Sequence, residues 1–201
     1  MLTTIAAMQM KKTLSPMRNF DPVKVARYEK DSWVAYYQRR WFTLLRLLIG
    51  LVRLTYGLSL WQAIRVGIPL TRAQVAFAPQ DNDVPQAITY MEQFFAYLKE
   101  RHGEDLDLHE AALAEVSWWV VHRTFFGHSD QPEVIDAVAC AYAAAYRVDP
   151  AMVREAAYHR AQAMVYSDGW VLSERDPHDP RLQQEEDELI KSYTALKKAV
   201  S

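Results

Sequence analysis

From Pro180 to the end of the chain, Leu182, Leu189, Tyr193, Leu196 and Val200 recur at spacings of three, four and seven, with charged residues between them. This pattern draws one apolar stripe on a charged rod and predicts an amphipathic helix packed on the outside of a core. Leu108 to Phe126 reads differently. It is apolar nearly all the way round, which predicts a buried helix. Other segments follow the helical period between clear stops. Asp21-Pro22 supplies an N-cap and a first-turn proline for a run that reaches about Tyr56. A run this long is expected to kink near Gly50. Ser59 caps the next segment, which Pro69 should kink or split. Asp83 restarts a helix that Gly103 ends. Pro132 opens another, ending near Tyr146, and Asp149-Pro150 opens one that ends near Ser167. The loops GHSDQP and RDPHDP separate the last three segments.

No stretch alternates in polarity long enough for a strand. The expected fold is therefore all-α: a single-domain helical bundle of about six to eight helices, with a long, kinked N-terminal helix. Residues 1–20 are expected to form a flexible arm, and 21–201 a single all-helical domain. Composition agrees with this. Half of the residues are hydrophobic and only six are glycine, which leaves few of the turns an all-β protein needs.

The formal net charge of -2 gives no global basic field, so no nucleic-acid partner is expected. The single Cys140 excludes an internal disulfide and a multi-cysteine zinc site. In VIDAVACAYAAAY it reads as a small buried hydrophobe in a reducing, cytoplasmic compartment. The N-terminus lacks the order of a signal peptide, because its lysines follow the short apolar run. Residues 41–61 are long and apolar enough to raise the question of a membrane span. Arg46 and Arg53 would then sit inside the hydrocarbon, so a core helix is expected, and peripheral membrane contact through 41–61 is the lesser alternative.

Candidate chemistry centres on Glu115 and His122 in the apolar Leu108–Phe126 segment. A buried carboxylate and imidazole must be paired, hydrogen-bonded or metal-bound. Seven residues place them on one helix face, about 10.5 Å apart along the axis, with Trp118 between them. They are the candidate catalytic residues. Tyr36, Arg39, Trp118 and Asp168 are candidate pocket-lining residues. Asp168 opposes the dipole at the expected end of its helix and so needs a specific partner. Glu155 and His159, four apart, join Glu115 and His122 as candidate metal ligands, although an exposed, salt-linked face explains them as well. Glu29 and Glu92 lie on two further helices that could each add a carboxylate.

The Glu-x6-His segment from Glu115 to His122 resembles that of heme-oxygenase-like di-metal oxidases, which are single-domain helical proteins. The resemblance covers one helix. It implies an iron or manganese centre with ligands drawn from Glu115, His122, Glu155, His159 and Asp168. The pattern departs where the family carries aspartate and histidine one turn apart on a late helix, since Asp168 has no such histidine. No phosphate-binding glycine loop, nucleophile elbow or His-Glu-x-x-His motif occurs. The expected function is thus a helical interaction or binding protein with a buried polar cluster, engaging a protein partner or a second copy of itself. The alternative is a metal-dependent oxidoreductase, with one metal or two, or a small-ligand-binding enzyme using Glu115 and His122.

Overall fold

A computed structural model describes residues 15–201. The described chain is all-helical, with eight α-helices. They are α1 (Pro22–Tyr37), α2 (Trp41–Thr55), α3 (Leu60–Phe77), α4 (Val84–His102), α5 (Leu108–Thr124), α6 (Pro132–Tyr146), α7 (Arg154–Val171) and α8 (Pro180–Val200). Short 3-10 turns at Pro16–Arg18 and Pro150–Val153 precede α1 and α7. No helix among the described residues is long and apolar enough to cross a membrane.

Local chemistry sets most of the boundaries. The Asp21 carboxylate accepts hydrogen bonds from the N–H groups of Val23 and Lys24, and Pro22 opens α1. Ser59 and Gln62 form a reciprocal capping box at α3. Gly103 ends α4 in the left-handed conformation at φ 65°, which a residue without Cβ adopts freely.

Each helix packs on the next in sequence, and α8 packs back on α1. The helices therefore close into a ring, and residues from all eight meet around its centre. Short connections between packed neighbours make successive helices antiparallel. The C-terminal ends of α1, α3, α5 and α7 consequently gather at one end of the ring.

The expected long N-terminal helix is corrected to two. The chain breaks at Gln38–Arg40, where Arg39 takes φ 55°, and α1 and α2 pack side by side. One helix from Pro22 to Tyr56 would be about 52 Å long, whereas a domain of this size is roughly 40 Å across. Gly50 is a contact point and not a break: a Cβ there would run into the Tyr28 ring of α1. α3 continues through Pro69 as one element. Part of the expected arm also differs. Residues 1–14 lie outside the described residues, but Met17 and Phe20 are buried in the core. Arg18 donates to the carbonyls of Tyr146 (2.7 Å) and Val200 (3.0 Å), tying this segment to the ends of α6 and α8. α5 buries Ala111, Ala112, Val116, Trp118 and Trp119, while Leu113 and Val120 face outward as part of the ring wall. Cys140 is exposed, against the expectation that it fills the core, because α6 turns that position outward.

Candidate functional site

Two adjoining cavities occupy the ring. The inner one, about 140 Å³, lies at its centre. The outer one, about 380 Å³, lies at the end where α1, α3, α5 and α7 terminate. Trp33, Gln74, Trp118 and Trp119 line both and form the partition between them.

The inner cavity holds a charged network. Arg160 on α7 pairs with Glu29 on α1, and both are buried. Tyr193 on α8 donates its hydroxyl to the other Glu29 oxygen. Arg160 also donates to the Tyr142 hydroxyl on α6 at 3.0 Å. Its guanidinium lies over the rings of Trp118 (4.9 Å), Trp33 and Tyr142 (both 5.6 Å). Ser192 continues the chain, 3.3 Å from the Tyr142 hydroxyl and donating to the Ala156 carbonyl at 2.7 Å. Burial opposes the Arg160 charge, but Glu29 and the surrounding hydroxyls hold its pKa well above the ordinary arginine value. One bond to carboxylate, one to hydroxyl and three aromatic faces compensate its removal from water. Glu115 also lines this cavity. Burial raises its pKa, with Arg160 opposing the rise.

The outer cavity contains a histidine held by a buried carboxylate. His122 Nε2 lies 3.0 Å from Asp168 Oδ1. Asp168 is fully buried, and its Oδ2 accepts from the Gly127 N–H at 3.0 Å and from the Ser129 hydroxyl. An ionised carboxylate only accepts, so Nε2 carries a proton, and in the neutral imidazole Nδ1 is then the nitrogen that keeps its lone pair. Nδ1 has no hydrogen-bond partner among the described residues, and His122 is a wall of the cavity. Trp118 and Phe126 flank the imidazole with ring centroids at 6.3 and 5.8 Å. Tyr36, Tyr37 and Phe77 extend the aromatic lining, and Arg39 and Gln80 stand exposed at the mouth. Burial, reinforced by Asp168, raises the Tyr37 pKa well above the ordinary phenol value, so its hydroxyl stays neutral. Arg123 also lines this cavity, over the Phe77 ring, while it donates to the carbonyls of Phe77 (2.7 Å) and Pro79 (2.8 Å) and closes the end of α3.

The structure thus brings Tyr36, Arg39, Trp118 and His122 to one cavity, with Asp168 behind His122. It separates Glu115 from His122: the former lines the inner cavity and the latter the outer. Glu155 is exposed, and His159 bonds Glu188 at 2.7 Å. Glu92 bonds His109 at the surface, also at 2.7 Å. Among the described residues, no group of three or more histidine, cysteine or acidic side chains is placed to hold a metal ion. The candidate ligands Glu115, His122, Glu155 and His159 therefore do not form one centre, because α5 and α7 present them to different surroundings.

Sequence reasoning missed that Arg160, the neighbour of His159, is buried. The signal was there: Val153, Ala156, Arg160, Met164 and Ser167 follow one helical stripe whose other members are apolar or small. It also missed Ser129, hidden in a polar loop, and Glu185, a fully buried carboxyl on α8. Compared with known proteins, the chain matches no family model, no curated protein and no solved structure.

Proposed function

We propose that the chain binds a small, flat aromatic molecule in the outer cavity and that His122 Nδ1 accepts a hydrogen bond from it. The observation that carries this reading is the Asp168–His122 pair set in the wall of an aromatic cavity. About 380 Å³ is within the range of small-molecule sites. Aromatic walls bind planar groups through offset and edge contacts. A single oriented acceptor among them fixes the ligand's register. Where the ligand offers an acidic hydroxyl or N–H, the same nitrogen is placed to take that proton, and ionised Asp168 stabilises the imidazolium formed. This is the enzymatic form of the proposal.

Calorimetric titration of 2-naphthol and 2-methoxynaphthalene tests it. The two probes share a ring system but only the first donates a hydrogen bond. One neutral hydrogen bond corresponds to roughly tenfold in affinity, so 2-naphthol should bind about that much tighter. The difference should vanish in His122→Leu. Equal binding of both probes to the wild type, or neither probe binding, would overturn the reading.

A second reading, a helical protein that engages a protein partner or self-associates, draws on exposed Phe42 and Trp61. Sedimentation velocity over a range of concentrations tests it: a single monomeric species throughout contradicts self-association. Cytoplasmic residence belongs to both readings and draws on the lone, exposed Cys140 thiol.

A further inference from the structure

We propose that the outer face of α2 and α3 docks on an anionic lipid bilayer surface. Between Asp31 and Asp81 the sequence contains no acidic residue and six arginines: Arg39, Arg40, Arg46, Arg53, Arg65 and Arg72. Those six are drawn from 23 basic residues in the whole chain, so the remainder carries 17 against 25 acidic ones. The charge of this molecule is therefore strongly segregated. Arg46, Arg53, Arg65 and Arg72 lie on α2 and α3, and all four are exposed.

Large apolar side chains are interleaved with them. Phe42 is 92% exposed and Trp61 is 76% exposed, and Leu60, Ile68 and Val75 are exposed on the same two helices. The register follows from Gly67, where a Cβ would meet Ile49 Cγ1 at 2.8 Å. Because the helices are antiparallel, Phe42 then lies beside the Val75 end of α3, and Trp61 lies beside Arg53. One aromatic residue thus marks each end of the face, with arginines between. Arg65 and Arg72 lie 5.5 and 5.9 Å over the rings of Tyr97 and Tyr90 on α4, which orders them along the surface.

The chemistry selects the occupant. A second copy packed symmetrically on this face would set arginine against arginine. A nucleic acid would satisfy the guanidinium groups but not the exposed apolar side chains. An anionic bilayer satisfies both, with headgroup phosphates for arginine and the acyl boundary for Phe42, Leu60, Trp61 and Ile68. Since no described helix is long and apolar enough to cross, the contact lies in the plane of the interface.

Cosedimentation with vesicles of phosphatidylcholine alone, and of phosphatidylcholine mixed with phosphatidylglycerol, tests this. The protein should partition onto the mixed vesicles and be released by salt. Each arginine near such a surface is worth roughly fivefold in partitioning, so Arg46→Gln with Arg53→Gln should weaken it roughly 25-fold. Phe42→Ala with Trp61→Ala should also weaken it. Circular dichroism should stay unchanged in every variant, because these side chains are exposed. No partitioning onto mixed vesicles, equal partitioning onto neutral ones, unaffected variants, or stronger binding to duplex DNA would each overturn the proposal. So would an association of the protein with itself that Trp61→Ala abolishes.

Discussion

His122 and Asp168, 46 residues apart in sequence, meet at 3.0 Å and join the end of α5 to α7. The contact has a structural side and a functional side. Asp168 also receives the Gly127 N–H and the Ser129 hydroxyl, so one buried carboxylate holds the α5–α6 loop in place. The same carboxylate sets the tautomer of the neutral imidazole, in which Nδ1 is the acceptor, on a residue that lines the cavity.

Asp168→Asn should therefore destabilise the fold by about 2–4 kcal/mol, because the amide presents an N–H₂ group where an acceptor is needed. Ser129→Ala removes one donor and leaves two, so its cost should be smaller, about 1 kcal/mol. Urea unfolding followed by circular dichroism measures both. Equal costs for the two variants would contradict the central position given to the carboxylate.

Glu29 and Arg160 form the buried charge pair of the inner cavity. Arg160→Met leaves Glu29 buried without its cation and should cost about 3–5 kcal/mol. In Glu29→Gln with Arg160→Met the stranded charge is gone. The double variant should therefore lose less than the sum of the single losses, and a double-mutant cycle reads the coupling directly.

Glu185 makes stability fall as pH rises. It is fully buried, neither carboxyl oxygen has a hydrogen-bond partner among the described residues, and burial raises its pKa well above 4.5. Above pH 4.5 the unfolded chain releases a proton that the native state keeps. This group's contribution is therefore most favourable below that pH and declines as pH climbs toward its raised value. Glu185→Gln should stabilise the protein at neutral pH and have little effect at acidic pH. Melting temperatures across the pH range check this. A stabilisation that does not change with pH would contradict it.

Glu115 and His122 should respond differently to alanine, since they do not pair. His122→Ala removes one of three hydrogen bonds to Asp168 and should cost about 1–3 kcal/mol. Glu115→Ala removes a carboxyl whose ionisation burial opposes, and should be neutral or stabilising at neutral pH. Comparable losses for both variants, measured by denaturant unfolding, would restore the idea of a structural pair.

Much of the helix plan was legible because it is written in local chemistry. Asp21-Pro22, the Ser59 capping box, Gly103 and Pro180 each act within one turn of where they stand. The break at Arg39 was not legible. No glycine or proline marks it, and the chain turns there because α1 and α2 must both pack within the ring. The need of Asp168 for a partner could be read from its place near a helix end, but His122 as that partner could not, since the ring closure that joins them is a tertiary event. Tyr36, Arg39, Trp118 and His122 could be listed from type and spacing. The partition that sends Glu115 to one cavity and His122 to the other follows from how α5 is rotated in the ring, and helical periodicity alone does not give that rotation.

The most direct test of the central claim observes the His122 ring itself, by nitrogen-15 NMR of histidine-labelled protein titrated with 2-naphthol, with His122→Gln used for assignment. The account predicts a protonated Nε2 and an unprotonated Nδ1 in the free protein, and an Nδ1 resonance that moves as the naphthol binds. A proton on Nδ1 in the free protein, or an Nδ1 resonance unmoved by the probe, would contradict it.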